Sequence, residues 1–349
     1  MNDVERKRRE LIKDLFPSGI PRLWCPLLTH YTGDGRIDFD RMNIHMSHLV
    51  PWVKGFLIPG STGDGWELSE EETLKVAGFA IEQTRRHGVS LLLGVLTADV
   101  TTMKQRIAQM ISNMKTSSRA ADDADKLLRN NRVCGFTVCP PRGSSLTESE
   151  IESSLSEILE MGMPAALYQL PQVTQNELAP KTFERLAKRY SNLVFFKDSS
   201  GGDSIATSNV EKDGVFLVRG AEGNYAKWLV DAGGCYDGFL LSTANCFSRQ
   251  LSSLITCIEK KDVITAEALS ETLTSVVGEV FALVQPLPYG NPFTNANKAI
   301  DHFFAFGSKA ATTDGPMLHE NVRIPRDIIQ TTGGILAYYD LMPEKGYLE

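Results

Sequence analysis

No C-x-x-C occurs in this chain, and no cysteine stands at zinc-finger spacing from a histidine; Cys25, Cys134, Cys139, Cys235, Cys246 and Cys257 are scattered along it. A disulfide framework and a structural zinc are therefore not expected. H-E-x-x-H is missing as well. His45 and His48 lie three apart without the glutamate of that motif, and no histidine is assigned chemistry. No eighteen apolar residues run together, and Met1 to Lys13 is charged throughout, without the apolar centre of a signal peptide. Basic blocks are also lacking: 36 Lys plus Arg face 43 Asp plus Glu, a formal net charge of -7, which argues against nucleic acid as a partner. G-x-G-x-x-G does not follow the first apolar run, and G-x-x-x-x-G-K-[ST] does not appear, so neither a dinucleotide nor a nucleoside triphosphate is implied. These absences point to a reduced, cytoplasmic, soluble protein with no membrane partner.

What is present is a core-forming composition, 42% hydrophobic and 23% charged over 349 residues, so the chain should fold without staples. Short apolar runs alternate with longer segments of helical period. The runs are Arg22–Leu27, Gly55–Ile58, Ser90–Val95, Gly135–Cys139, Ala165–Gln169, Leu193–Lys197, Val215–Arg219 and Asp237–Leu241. Ser69-Glu70-Glu71-Glu72 and Thr147-Glu148-Ser149-Glu150 have capping-box spacing, and Pro180 suits a first helical turn. Strand, helix, strand, repeated eight times, predicts an α/β fold: a (β/α)8 TIM barrel over 19–250 with appended C-terminal helices over 251–349. Residues 1–18 read as a polar, charged N-terminal arm, compatible with a helix, on the surface or in an intersubunit contact. The polar stretch Lys115–Asp123 reads as part of a surface insertion near 113–132. Thr331-Thr332-Gly333-Gly334 reads as a turn.

Barrel enzymes place their chemistry at the carboxyl ends of the strands. The sixth run, Leu193-Val194-Phe195-Phe196, ends in Lys197. Burial there would lower the lysine's pKa and free its amine to attack a carbonyl, forming a Schiff base. Tyr168 stands next to the end of the fifth run, one βα unit earlier, where its phenol could shuttle a proton. After the second run, Pro59-Gly60-Ser61-Thr62-Gly63-Asp64-Gly65 offers backbone N–H groups and two hydroxyls suited to an anion, although an ordinary glycine-rich turn would read the same way.

Together, Gly60-Ser61-Thr62-Gly63-Asp64, Leu68-Ser69-Glu70-Glu71-Glu72, Tyr168-Gln169-Leu170-Pro171 and Phe196-Lys197-Asp198-Ser199-Ser200-Gly201 resemble the dihydrodipicolinate synthase and N-acetylneuraminate lyase family. Asp237–Asn245 and Asn291–Lys298 are similar to its eighth-strand and C-terminal helix segments. The resemblance implies a class I aldolase acting on pyruvate or a related 2-oxo acid, with an aldehyde as second substrate, no metal or other cofactor, and a homo-oligomer, tetramer or dimer. It implies an imine on Lys197, a proton shuttle by Tyr168 with Thr62 among the catalytic residues, and a carboxylate held by Gly60, Ser61 and Gly63. Arg142, Leu240 and Ser242 are the further substrate-binding candidates, with Glu222 beside Ser242.

The family's paired tyrosines after the fourth strand are replaced by Cys139-Pro140-Pro141-Arg142, and its arginine after the fifth by Gln172-Val173-Thr174. Asp64 stands where a glutamate is usual, and Gln169 where an asparagine is usual. The leading reading is thus a lyase for 2-oxo-3-deoxy sugar acids. Alternatives are dihydrodipicolinate synthase itself, a hydratase or dehydratase using the same imine, and a barrel that binds a 2-oxo acid without turnover. A phosphate-binding isomerase barrel is disfavoured because Gly220-Ala221-Glu222-Gly223 puts an acid where phosphate would lie.

Overall fold

A computed structural model describes residues 2–118 and 123–349. Eight parallel strands close in sequence order: β1 (Leu23–Cys25), β2 (Gly55–Ile58), β3 (Ser90–Gly94), β4 (Val133–Val138), β5 (Ala165–Gln169), β6 (Leu193–Asp198), β7 (Phe216–Arg219) and β8 (Gly238–Leu240). Each coincides with a predicted run to within two residues at either end, β2 and β5 without any shift, so the (β/α)8 barrel is as expected. All strand residues except Ser90 and Phe216 are buried. Burial on both faces explains why the strands read as unbroken apolar runs rather than as alternation.

The helices outside begin where their caps predict. Ser69 heads Glu70–His87 and Thr147 heads Glu148–Leu159, both with complete capping boxes, and Pro180 opens Pro180–Arg189. Around the expected insertion the chain is helical over Val100–Ser118 and Ala124–Asn130, while residues 119–122 of that expectation lie outside the described residues. The chain continues through Ser248–Glu259, Val263–Val284, Pro292–Phe306 and Arg326–Tyr338, helices that pack on one another beside the barrel.

Two expectations need correction. The N-terminal segment, helical over Asp3–Leu15 as its sequence allows, is not a purely surface arm: its Arg8 is fully buried, donating to the carbonyls of Leu193 at 2.6 Å and Tyr190 at 2.7 Å and also to those of Ala187 and Asp213. Leu11, Ile12, Leu15 and Phe16 pack on the inner cluster of Trp24, Leu57, Leu92, Phe195 and Leu240. The expected arm therefore stoppers the amino-terminal end of the barrel, its apolar stripe hidden among the charges of its outer face. Residues 331–334 are not a turn but lie inside Arg326–Tyr338. A Cβ on Gly333 would lie 2.6 Å from the Phe303 ring, so this glycine serves the close approach of two helices rather than a chain reversal. Among the described residues, no helix is long and apolar enough to cross a membrane.

Candidate active site

In the ladder between β5 and β6, Tyr168 pairs with Lys197, two residues beyond the pair Ala166 and Phe195 of the inner apolar cluster. Parallel strands in register bring both side chains to one level at the barrel's carboxyl end. The Lys197 Nζ stands 3.9 Å from the centre of the Tyr168 ring, and both residues are buried. Loss of hydration pushes the Lys197 ammonium down to about 7, and the negative charge of Glu222 offsets only part of that. A neutral amine is thus available near physiological pH. The loop after β7 passes close by: a Cβ on Gly220 would lie 2.7 Å from Lys197 Cε and 2.1 Å from Ser199 Oγ, so only glycine fits there.

After β2 and a cis Ile58–Pro59 bond, the chain makes a single tight turn, Ser61–Gly63, with Asp64 left-handed at φ 59°. Gly63 and Gly65 donate to the Gly60 carbonyl, and Asp64 donates to that of Ser61. Among the described residues, the N–H groups of Ser61 and Thr62 have no backbone acceptor and remain available to an anion. Ser61 Oγ lies 3.4 Å from the Tyr168 hydroxyl and accepts the Trp66 indole N–H at 2.9 Å. Burial pushes the Tyr168 phenol up, so it holds its proton until a stronger base calls for it. Thr62 is buried next to Ser61, but the threonine's carbonyl is what the rest of the fold engages, accepting Thr294 Oγ1–H at 3.0 Å. The hydroxyls of Ser61 and Ser199 are the ones within reach of the Tyr168 phenol among the described residues.

Asp64 anchors this turn. Its carboxylate accepts the Tyr31 hydroxyl at 2.9 Å and the Thr294 hydroxyl at 3.1 Å and pairs with buried Lys298 at 3.4 Å. Tyr31, Thr294 and Lys298, which sequence reasoning passed over, so lock the anion turn to the appended helix Pro292–Phe306. Gln169 is likewise structural, its amide oxygen accepting the Leu178 N–H at 3.0 Å. Across the barrel, Glu222 accepts from Ser242 at 2.6 Å, from Thr243 Oγ1 at 2.7 Å, from Tyr225 at 2.9 Å and from the Thr243 N–H at 3.1 Å. The Ser242 hydroxyl is thereby turned to Glu222, and Leu240 belongs to the inner apolar cluster. Beside Ser61 opens a cavity of about 790 Å³, walled also by Trp66, Glu67, Arg106, Arg142, Leu170 and Gln172 among others. Arg142 is exposed at this mouth, apart from the buried lysine.

The family model described as "Dihydrodipicolinate synthetase family" matches residues 20–290, which include all eight strands and both halves of this site. The chain belongs to the dihydrodipicolinate synthetase family. Members of this family are class I, pyruvate-dependent aldolases and lyases that work through a lysine imine without a metal cofactor. A curated relative, the 4-hydroxy-tetrahydrodipicolinate synthase of Pseudomonas aeruginosa, is 24% identical over 265 residues, covering 75% of this chain and 83% of its own. That of Methanococcoides burtonii is 24% identical over 267 residues, with the same 75% and 83% coverage. Among solved structures, YagE, a prophage protein of the dihydrodipicolinic acid synthase family from E. coli K12 in complex with pyruvate, superposes with a TM-score of 0.71 at 18% identity, covering 92% of this chain and 99% of its own. The dihydrodipicolinate synthase of Bacteroides thetaiotaomicron gives 0.72 at 17% identity, covering 91% and 98%. At these identities the structural likenesses establish the fold.

One more cluster was not visible in the family member's sequence: His30, His45 and Asp301, all buried and close enough to share an ion. Their atoms are already committed. His30 Nε2 and His45 Nδ1 lie 2.9 Å apart, and His45 Nε2 lies 2.9 Å from the Asn245 carbonyl. Asp301 accepts from Arg41 at 3.1 Å and from the Tyr347 hydroxyl at 3.0 Å. Arg41 supplies the positive charge, so this is a satisfied hydrogen-bond network that ties the C-terminal tail to the barrel.

Proposed function

We propose that Lys197 forms an imine with the ketone carbon of pyruvate or another 2-oxo acid, and that the enzyme uses it to break or make a carbon–carbon bond to an aldehyde, on compounds of the 2-oxo-3-deoxy sugar acid type. The observation that carries this reading is the buried amine of Lys197, pushed down to about 7 and lying 3.9 Å over the Tyr168 ring. The neutral Nζ adds to the ketone carbon and the ketone oxygen leaves as water. The iminium then draws electrons from the adjacent carbon, which loses a proton to become an enamine. Its carbon attacks the aldehyde, whose oxygen takes up a proton; cleavage runs the same steps backward. Tyr168 moves these protons, with Ser61 as its hydroxyl partner at 3.4 Å. Ser61 and Thr62, with the backbone of Gly60 and Gly63, hold the carboxylate and so fix the reacting carbon. Glu222 carries Ser242 and Thr243 as the opposite wall, and Leu240 floors it.

The names of the curated relatives support pyruvate chemistry, as does the pyruvate bound in YagE. The replacement of the paired tyrosines and of the second arginine favours an aldehyde other than that of the lysine-pathway synthases. The wider proposal is a cytoplasmic homo-oligomer, tetramer or dimer: all six cysteines are free, as a reducing compartment keeps them, and exposed Val230, Val263 and Ile264 suit cover by a second copy. The test is to incubate the protein with pyruvate and borohydride, digest it and map the adduct by mass spectrometry. A reduced pyruvate adduct on Lys197 is expected; its absence with every 2-oxo acid tried overturns the proposal.

A further inference from the structure

The cavity that opens beside Ser61 is walled in part by two arginines that form no ion pair among the described residues. Arg106 comes from the helix Val100–Ser118 after β3, and Arg142 from the loop after β4. The two segments are tied to one another at their bases: the Arg142 N–H donates to the Ala98 carbonyl at 3.1 Å, and Arg106 Nη1 donates to the Leu96 carbonyl at 3.3 Å. Arg106 Nε is buried without a partner, and among the described residues neither guanidinium makes an ion pair. In a chain of net charge -7, acids to pair with are plentiful, yet the acid on this wall, Glu67, forms no ion pair with either arginine, which leaves two planar donor forks open.

Glu67, on the same wall, does not fill that role. One of its carboxyl oxygens is buried with no partner, and it forms no ion pair with either arginine. Burial first, then the charge of Asp64, push its carboxyl up to about 7, so near neutrality it can offer a proton to a hydroxyl or an oxyanion instead of repelling it. The cavity's volume, about 790 Å³, leaves room beyond a three-carbon acid for a hydroxylated chain.

Resting on the imine reading, we infer that the second substrate carries an oxoanion at its far end, held by Arg106 and Arg142, so that the complete substrate is a 2-oxo acid charged at both ends. Its own carboxylate sits in the Ser61–Gly63 turn and its tail hydroxyls meet Glu67. A terminal carboxylate and a terminal phosphate offer guanidinium forks the same oxygens.

The experiment measures kcat/KM for cleavage of three 2-oxo-3-deoxy sugar acids of equal carbon number, ending in hydroxymethyl, in carboxylate and in phosphate monoester. Wild type, Arg106→Gln and Arg142→Gln are compared, and pyruvate trapping on Lys197 is run on each. Wild type should prefer one charged tail over hydroxymethyl by roughly 100-fold, mainly through KM, and each arginine variant should lose most of that preference. Which charged tail wins separates carboxylate from phosphate. Trapping in the variants reports an intact barrel. Wild-type trapping with no preference for a charged tail overturns this inference and leaves the imine reading standing, as do trapping-competent arginine variants that keep the full preference. Absence of trapping in the wild type overturns both.

Discussion

Lys197 and Tyr168 face one another across a single rung of the β5–β6 ladder, with the amine 3.9 Å from the centre of the phenol's ring. The ring's negative face steadies the ammonium while burial destabilises it, so the lysine is held in place and yet easily deprotonated. That balance sets the pH behaviour. The rate of imine formation with pyruvate should rise with pH to a midpoint near 7 and then level off, because the neutral amine is the nucleophile. Rapid-mixing rates that keep climbing toward pH 10 would show a solvated lysine instead.

Stability carries the same signature. The ordinary lysine value is 10.5 and the folded value about 7, so between them the unfolded chain holds a proton that the folded chain has lost, and stability rises with pH across that window. Below it, the folded state keeps a buried charge at full cost. Lys197→Met should therefore be inactive but more stable than wild type below pH 7, by on the order of a few kcal/mol, with the advantage shrinking toward pH 10. Thermal melts at pH 6 and pH 9.5 check the sign.

Tyr168→Phe keeps the ring under the amine and removes the hydroxyl that lies 3.4 Å from Ser61 Oγ. Pyruvate should still be trapped on Lys197, but turnover should fall by about 100-fold or more. Wild-type kcat in this variant would remove Tyr168 from proton transfer.

Gly220→Ala would put a methyl 2.7 Å from Lys197 Cε. The β7 loop or the lysine must shift, and a displacement of even a fraction of an ångström upsets a reacting geometry; roughly 100-fold lower kcat is expected with cooperative unfolding retained. Borohydride trapping should slow in parallel.

Arg8→Met tests the N-terminal stopper. It strips the carbonyls of Ala187, Tyr190, Leu193 and Asp213 of their buried donor. Denaturant unfolding should show a loss of about 3 kcal/mol or more, with pyruvate trapping on the remaining folded protein unchanged.

How far the sequence spoke depended on how local each signal was. β6 was legible because a strand buried on both faces is an apolar run, and Lys197 because a cation ending such a run is conspicuous. The caps at Ser69 and Thr147 were legible because a capping box lies within four residues. Arg8 was not, since its acceptors come from residues 187–213 and nothing near it in the chain announces them. Gly333 misled because a glycine that lets Phe303 approach looks the same in sequence as one that turns the chain. Arg106 and Glu67 escaped notice for a related reason: each is an ordinary charged residue on a helix or loop, and only closure of the barrel sets them on the wall of one cavity. Trp66 did carry a local signal, a large aromatic directly after the glycine turn.

The helix that stoppers the amino-terminal end has a kinetic corollary. With the base closed by Leu11, Ile12, Leu15 and Phe16, the reacting lysine at the carboxyl end of β6 is approached from the face that carries the cavity beside Ser61. For the proposed reaction the 2-oxo acid must load before the aldehyde, and in cleavage the aldehyde must depart first, so release follows a queue set by depth rather than by affinity.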